Sequence, residues 1–315
     1  MWDADHVAKW EVPPLNWIVE DVIQRDALGF LSGPPKSGKS LLALDLCDAL
    51  TRGASWLGMF RCKAVNVLYI AREDPPRRIK NRLQEISQSR QGARCGKLLF
   101  LIRQRMNLRS EDDINRIKEI IGQKDIGLVV LDVVNRMMPG LDENEAKDVG
   151  MLVDSMEELR DTLAVTVLAV DHTRKPSGKQ QVSPFELKGS MAKYGACDFI
   201  LCVGRRNHDL ELYAENKDLD HSKRFLLTVS TKDATGPKFA VKQELDAEAQ
   251  DQKTKGDRNR EKVLAAIGSE WVSKKQVVEK TQLSASTVGS HLKALLLNGR
   301  IKTKGSNRST LYRLA

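Results

Sequence analysis

The chain has 315 residues, of which 41% are hydrophobic and 30% are charged, and its formal net charge is +9. This apolar content is enough for a sizeable core and excludes an intrinsically disordered chain, and no apolar run approaches the roughly 20 residues that cross a bilayer. The five cysteines show no zinc-binding spacing, and residues 1–10 lack the apolar core of a signal peptide. We therefore expect a reducing, cytoplasmic location and no membrane partner.

The positive charge is concentrated at the C-terminal end of the chain. Residues 251–315 hold 14 Lys and Arg against 5 Asp and Glu, whereas the rest of the chain is neutral. This asymmetry predicts a polyanionic partner, with nucleic acid as the first candidate. The alternative is a basic solvated surface that only aids solubility.

The order of the predicted elements indicates an α/β domain. Residues 1–26, with Trp2, Trp10 and Trp17, are predicted to be a lead-in segment that lays aromatic side chains on the core. Near-continuous apolar runs then predict strands at 27–32, 65–71, 97–102, 127–132, 166–171 and 199–203. Helical patterns lie between them at 39–52, 75–88, 111–123 and 145–163. This alternation predicts a mostly parallel sheet that is buried on both faces, and antiparallel strands near 211–216, 224–231 and 239–243 extend one side.

A phosphate-binding motif follows the first long strand. Residues 33–40 read GPPKSGKS, which matches G-x-x-x-x-G-K-S between a buried strand and a helix. We expect the loop to bind ATP, with Lys39 at the terminal phosphates and the Ser40 hydroxyl on Mg²⁺. The predicted binding residues are Gly33, Pro34, Pro35, Lys36, Ser37, Gly38, Lys39 and Ser40. The alternative is an ordinary glycine turn.

Two carboxylates lie at the ends of later predicted strands. Glu73 follows VNVLYIA and is predicted to polarise the attacking water, with Asp74 capping the helix that follows. Asp132 ends LVVLD, which is the Walker B pattern, and is predicted to hold Mg²⁺ together with Ser40. A solvated acid at the end of a strand is the alternative for Glu73, and Asp171 is the competing position for the metal.

Further polar residues are expected at the same sheet edge. His172 is predicted to sense the γ-phosphate, although a structural histidine would fit the same position. Lys232 is the first candidate for a basic group that neutralises charge in the transition state, followed by Arg205 and Arg206. Each of these cations could instead face solvent. The polar loop 174–189 could contact single-stranded DNA through Lys175, Lys179 and Lys188, and the aromatic residues near it are Phe185 and Tyr194.

The C-terminal residues predict a second domain. Residues 244–258 are charged and almost free of large apolar side chains, which indicates a linker. Three helical patterns and two short strands in 259–315 predict a winged helix-turn-helix domain, with the helix near Ser286 in the major groove. The expected DNA contacts are Ser284, Ser286, Thr287, Ser290, His291 and Lys293 from that helix, and Lys302, Lys304 and Arg308 from the hairpin. The alternative is a three-helix appendage that docks to a protein.

Four segments in combination resemble the RecA-type ATPases of the plasmid replicative helicase RepA group, relatives of the DnaB-like replicative helicases. They are GPPKSGKS, YIAREDPPRRIKNRL, LVVLD with the following DENEAKDV, and VDHTRK with the later KGS. The resemblance covers about residues 13–243, and it implies a RecA-like P-loop ATPase domain at 27–243. It also implies a homo-oligomeric ring, with six subunits expected, and ATP bound between neighbours. It makes Glu73 the catalytic glutamate, Asp132 the Walker B acid, His172 the phosphate sensor and Lys232 the basic finger.

Three functions are compatible with these features. The first is an ATP-driven DNA motor, a replicative or mobile-element helicase that contacts single-stranded DNA through the ATPase core and duplex DNA through the winged helix. The second is a sequence-specific initiation or regulatory factor that does not unwind DNA. The third is a nucleotide-dependent assembly switch without translocation.

Overall fold

The computed structural model describes residues 3–88, 90, 92–140, 142, 145–173, 182–183, 190–206, 209–219, 222–230, 238–245, 255–267, 271–297, 300–305 and 310–314. The chain divides into two compact units, residues 1–245 and 246–315, and each is described by itself. The domain bounds predicted at 26, 243 and 258 remain predictions. Among the described helices, none combines the length and apolar character that a membrane crossing requires.

The first unit alternates strands and helices along most of its length. Its strands are β1 Trp17–Val19, β2 Ile23–Gln24, β3 Leu28–Gly33, β4 Asn66–Ala71, β5 Leu98–Ile102, β6 Ile126–Asp132, β7 Thr166–His172, β8 Phe199–Arg206, β9 Asp209–Asn216, β10 Lys223–Ser230 and β11 Lys238–Leu245. Its helices are α1 Ala4–Lys9, α2 Lys39–Arg52, α3 Pro76–Gln88, α4 Glu111–Lys124, α5 Ala146–Leu163 and α6 Ser190–Ala196, with a 3₁₀ helix at Val134–Met137.

Most of these strands form one sheet that is mostly parallel. Its order is β11-β10-β9-β8-β3-β7-β6-β4-β5, with parallel pairing from β8 to β5 and antiparallel pairing from β8 to β11. Successive strand residues face opposite sides, so Leu31 packs with α2 and α3 while Phe30 packs with α4 and α5. The predicted α/β architecture is therefore confirmed.

The strand order brings the functional candidates to one edge of the sheet. Gly33 at the end of β3 lies in register with His172 at the end of β7, and Asp132 at the end of β6 lies in register with Ala71 on β4. Because these strands are parallel, their carboxyl ends share the edge where α/β sheets bind ligands. This register positions the site described below.

The N-terminal segment differs from its prediction. Trp10 is 51% exposed, so the expectation that its ring packs on the core is wrong, and Trp2 lies outside the described residues. Residues 10–16 form no helix or strand, and Pro13 and Pro14 have no amide N–H to pair. The short hairpin β1–β2 supplies the packing instead, because Ile18 and Ile23 are fully buried in the core.

The start of α3 also differs from its prediction. The first helical hydrogen bonds run from Arg78 and Ile79 to the carbonyl of Pro75, so Pro75 occupies the capping position. The Asp74 carboxylate accepts hydrogen bonds from the guanidinium groups of Arg78 and Arg82. Because the two guanidinium groups engage both carboxylate oxygens and Pro75 holds the capping position, Asp74 does not cap the helix.

The second unit folds around a small core of its own. Its helices are α7 Lys255–Ile267, α8 Lys274–Thr281 and α9 Ala285–Leu297, and its strands β12 Val272–Ser273, β13 Ile301–Lys304 and β14 Leu311–Leu314 pair antiparallel in the order β12-β14-β13. Val277, Val288 and Leu292 meet in the core. A capping box between Ser273 and Gln276 starts α8. Three helices and an antiparallel sheet follow the predicted winged-helix arrangement.

Candidate nucleotide-binding site

The loop at the end of β3 depends on two glycines. A Cβ on Gly33 would lie 2.2 Å from the carbonyl oxygen of Val203 on β8, so a larger residue does not fit there. Gly38 has a φ of +94°, in the left-handed region that favours glycine, and it directly precedes α2. The first amide N–H groups of a helix have no helical partner and attract anions, so the start of α2 suits a phosphate.

Lys39 is a buried cation held against this loop. Its Nζ donates hydrogen bonds to the carbonyl oxygens of Gly33 at 2.8 Å and Pro34 at 2.9 Å, and it lies 3.2 Å from Nδ1 of His172. Burial lowers the pKa of Lys39 to about 8, although the carboxylates of Asp132, Asp171 and Glu73 oppose the shift. Within the described residues no carboxylate forms an ion pair with Lys39. A phosphate would supply the missing counter-charge.

Asp132 is oriented by two hydroxyl groups. Its Oδ1 accepts a hydrogen bond from Ser40 Oγ at 3.2 Å, and its Oδ2 accepts one from the Tyr69 hydroxyl at 2.5 Å. Burial raises the pKa of Asp132, while the two hydrogen bonds act in the opposite direction. Asp132 and Ser40 thus lie in direct contact although 92 residues separate them.

The chemistry of these donors fits Mg²⁺ and a nucleotide. The Ser40 hydroxyl and the Asp132 carboxylate are oxygen donors, and Mg²⁺ is usually held by one or two carboxylates, water and phosphate oxygens. The described residues include no cluster of three or more His, Cys, Asp or Glu, so they offer no cage made of protein ligands alone. Ser37 Oγ is buried without a hydrogen-bond partner among those residues, which leaves a polar group for a phosphate oxygen.

Glu73 lies at the rim of the same pocket. The pocket has a volume of about 400 Å³, and its walls include Lys39, Ser40, Glu73 and His172. The Glu73 side chain is 43% exposed, and its Oε1 accepts a hydrogen bond from Arg136 Nε at 2.8 Å. The structure therefore brings the phosphate-binding loop, α2, α3, β7 and the residues that directly follow β4 and β6 together around one cavity.

Asp171 was the competing candidate for holding the metal, but its carboxylate is paired with Lys193. Its Oδ2 accepts a hydrogen bond from Lys193 Nζ at 2.5 Å, and its Oδ1 accepts the backbone N–H of His172 at 2.7 Å. Both side chains of the ion pair are at most 1% exposed. With both oxygens engaged, Asp171 is less suited than Asp132 to hold a metal.

Sequence reasoning missed three side chains next to the site. Tyr69 gave a weak signal, since it is the one residue of VNVLYIA with both an aromatic ring and a hydroxyl. Arg136 and Lys193 gave none, because nothing local indicates that they reach Glu73 and Asp171.

The candidates for the basic finger are only partly described. Lys232, Lys175, Lys179, Lys188 and Phe185 lie outside the described residues. Arg205 is exposed at the end of β8, and Arg206 lies 3.8 Å from Glu211. Tyr194 donates its hydroxyl to Glu215.

The predicted DNA contacts of the second unit fall into two groups. On α9, Ser286, Ser290 and Lys293 are exposed, whereas Thr287 and His291 are half-buried. Ser284 Oγ accepts the N–H of Thr287 and so caps this helix. On β13, Lys302 and Lys304 are exposed, and Arg308 lies outside the described residues.

Two family models and two solved structures are similar to parts of this chain. A family model described as an AAA domain, AAA_25, matches residues 1–178, and a model of the DprA winged helix domain matches residues 247–305. A solved structure of a DnaB-like replicative helicase, described together with its interactions with primase, is 13% identical with a TM-score of 0.53 and covers 68% of this chain. A KaiC-like protein from the hyperthermophilic archaeon Pyrococcus horikoshii OT3 is 13% identical with a TM-score of 0.46, over 72% of this chain and 94% of its own.

The likeness to the DnaB-like helicase shows a RecA-like fold for the first unit. This chain spans 57% of the length of that helicase chain. The winged-helix match agrees with the helices and strands of the second unit. The AAA domain match covers more than half of the chain and includes the phosphate-binding loop, Glu73, Asp132 and His172. The chain therefore belongs to the AAA_25 family of AAA domains, as a P-loop ATPase with a RecA-like core and a C-terminal winged-helix domain.

Proposed function

We propose that this protein is an ATP-dependent DNA motor, a ring-forming helicase of the RepA type that hydrolyses ATP at its subunit interfaces. The observation that carries the proposal is the meeting of Lys39, Ser40, Glu73 and His172 around one pocket, with Asp132 bonded to Ser40 behind it. A loop that binds a triphosphate, a carboxylate beside a hydroxyl and a second carboxylate at the rim are the parts that phosphoryl transfer to water needs.

Each side chain has a distinct role in this proposal. Residues 33–40 bind the triphosphate, and Lys39 neutralises its terminal charge from a position that two backbone carbonyls fix. Ser40 and Asp132 would hold Mg²⁺, which when bound neutralises charge that develops on the phosphate oxygens. Glu73 orients the attacking water and accepts its proton. His172, 3.2 Å from the Lys39 ammonium, responds to the occupancy of the phosphate position.

The exposure of the pocket supports assembly into a ring, with six subunits proposed from the resemblance to the RepA group. Glu73 and Arg78, on the walls of the pocket, are 43% and 57% exposed, so the site is open enough for a neighbouring copy to add a cation. Lys232 is the proposed cation, in keeping with that resemblance. The exposed lysines of the winged helix support a second contact with duplex DNA.

Replacing the proposed base tests the function directly. We expect Glu73→Gln to bind ATP and Mg²⁺ but to hydrolyse ATP about 10²-fold more slowly, because the amide cannot accept a proton from water. Hydrolysis is measured with and without single-stranded DNA, strand displacement with an annealed duplex, and assembly by sizing with ATP. Glu85→Gln, at an exposed position of α3, is the matched control.

Two outcomes would contradict different parts of the proposal. Normal hydrolysis by Glu73→Gln would show that another group activates the water. Brisk hydrolysis by a protein that stays monomeric and ignores DNA would refute the ring-forming motor while leaving the ATPase intact.

The second candidate function is a sequence-specific initiation or regulatory factor. The observation in its favour is the exposed row of Ser286, Ser290 and Lys293 along α9, in the helix that a winged-helix domain places in the major groove. Such a factor would prefer one duplex sequence and would need little ATP turnover.

A further inference from the structure

The segment after β5 presents three arginines to solvent. Residues 103–109 read RQRMNLR, and Arg103, Arg105 and Arg109 are exposed. Met106 and Leu108 are 2% and 1% exposed, so these two side chains anchor the segment to the core. In the part of the chain that the structure describes, none of the three arginines forms an ion pair.

A fourth arginine connects this segment with the nucleotide pocket. The N–H of Leu108 donates to the carbonyl oxygen of Met137 at 2.9 Å, so the segment runs beside the 3₁₀ helix Val134–Met137. Val134 and Met137 are fully buried, whereas Arg136 is 68% exposed and bonds to Glu73. We refer to Arg103, Arg105, Arg109 and Arg136 as the arginine edge.

The acids that follow this segment do not neutralise it. Glu111 and Asp112 lie in the first turn of α4, where carboxylates interact favourably with the helix N-terminus. The Asp113 carboxylate accepts the N–H of Asn107 and so holds the backbone of the segment. The guanidinium groups therefore stay available for an anion from outside the chain.

We propose that the arginine edge binds the phosphodiester backbone of a DNA strand and that a bound phosphate takes Arg136 away from Glu73. This inference rests on the proposed function, since it concerns how DNA acts on the proposed base. Guanidinium groups match phosphates with paired N–H donors, and several of them on neighbouring segments suit a chain of phosphates. The ion pair of Arg136 and Glu73 is exposed on both sides, at 68% and 43%, and such pairs are weak enough to exchange.

The exchange has a consequence for hydrolysis. While Arg136 donates to Glu73 Oε1, that oxygen is not available to a water molecule at the same position. Once a DNA phosphate accepts the Arg136 N–H groups, Oε1 is released to orient the attacking water. DNA on the arginine edge therefore stimulates hydrolysis through a residue that belongs to both the edge and the pocket.

The surface is tested with the full chain and an oligo(dT) strand. The triple variant Arg103→Ala/Arg105→Ala/Arg109→Ala should keep its hydrolysis without DNA, because none of the three residues lines the pocket. The oligo(dT) concentration that half-saturates stimulation should rise about tenfold or more, and the slope of log affinity against log salt should shrink by about 2, from three lost phosphate contacts. The matched control removes three exposed charges before β4 and β5, in Arg61→Ala/Lys63→Ala/Lys97→Ala.

The coupling is tested with Arg136→Ala. Without DNA this variant should hydrolyse ATP as fast as the DNA-saturated parent protein, and added oligo(dT) should give no further stimulation. Arg136→Lys, which keeps the charge, should retain part of the response. Low hydrolysis with an undiminished response to DNA, or hydrolysis lower than the parent both with and without DNA, would overturn the coupling.

The results separate this inference from the proposed function. A parent protein that hydrolyses ATP but shows neither binding nor stimulation by oligo(dT) contradicts both the motor and the arginine edge. If the parent protein responds to oligo(dT) and the triple variant needs no more oligo(dT) for half-saturation than the control triple, the arginine edge alone is contradicted. Thermal unfolding of each variant verifies that the changes left the fold intact.

Discussion

At the residue scale, the ion pair of Lys193 and Asp171 lies one position from His172. Nζ of Lys193 and Oδ2 of Asp171 are 2.5 Å apart, and the Lys193 ammonium lies 6.0 Å from the ring centroid of Phe30 on β3. Removing both charges from water has a large desolvation cost, so the pair is not in itself a source of stability. Its consequence is that neither partner can be lost alone without leaving an unpaired buried charge.

We expect Lys193→Met to destabilise the protein strongly. Asp171 would remain buried without its partner, which costs about 3–5 kcal/mol of unfolding free energy. The double variant Lys193→Met/Asp171→Asn should recover most of that loss, because it removes both charges and keeps an acceptor for the His172 N–H. Denaturant unfolding of the parent and both variants measures the difference. Equal stability of Lys193→Met and the parent would contradict this account.

At the scale of elements, ion pairs with buried carboxylates connect α2 to the segment after α3. Asp45 and Asp48 of α2 are fully buried, and they pair with Arg90 at 2.9 Å and Arg94 at 2.7 Å. Burial raises the pKa of Asp45 to about 6, although Arg90 acts against the shift. Because α2 begins at Lys39, this cluster also holds the helix that follows the phosphate-binding loop.

The raised pKa of Asp45 predicts how stability changes with pH. The pKa of Asp45 is about 6 in the folded state and near 3.9 in the unfolded state, so the folded state binds the proton more tightly. The stability that this proton provides is complete below about pH 4 and is lost as the pH rises through 6. Asp45→Asn does not titrate there. The unfolding free energy of this variant minus that of the parent should therefore rise by roughly 2–3 kcal/mol from about pH 4 to about pH 7. A difference that stays flat or falls would contradict the raised pKa.

At the scale of the whole molecule, the two units carry different charge. The net charge of +9 comes from the last 65 residues, which include the winged helix, whereas the rest of the chain is neutral. The exposed Lys302 and Lys304 of β13 belong to the basic part. Since counter-ion release drives association with duplex DNA, the C-terminal unit should contribute most of the duplex affinity.

Removing the charges of Lys302 and Lys304 should distinguish duplex binding by the winged helix from the response of the ATPase unit to single-stranded DNA. We expect Lys302→Ala/Lys304→Ala to weaken duplex binding and to shrink its log–log salt slope by nearly 2, roughly 0.9 for each lost phosphate contact. ATP hydrolysis stimulated by single-stranded DNA should stay unchanged. Lys63→Ala/Lys97→Ala, which removes two exposed lysines of the first unit, is the control.

A different pattern would favour the second candidate function. If the parent protein selects one duplex sequence from a random pool and binds it equally well in the Glu73→Gln background, sequence-specific regulation is favoured over a motor. If unrelated duplexes compete equally, the motor is favoured.

Much of the fold could be predicted because it depends on local patterns. Helix α2 runs from 39 to 52 as predicted, since the phosphate-binding loop marks its start and Gly53, with a φ of 63°, marks its end. The buried strands β4 and β6 were found as continuous apolar runs, which are typical of strands in a parallel sheet covered on both faces. Trp10 shows the limit of such reasoning, because an aromatic side chain in an irregular segment has no periodicity to indicate what it faces.

The sequence alone determined which residues meet at the candidate site, because the phosphate-binding loop is contiguous and Glu73, Asp132 and His172 each end or follow a strand of the parallel sheet. The chemical roles of these residues stay predictions. Only the tertiary structure decided which side chains bond to the carboxylates at this edge. Arg136 reaches Glu73 and Tyr69 reaches Asp132, in each case across 63 residues, and Lys193 reaches Asp171 across 22. Such contacts depend on strand order, register and side-chain direction, which are set by the packing of the whole core and leave no pattern in neighbouring residues.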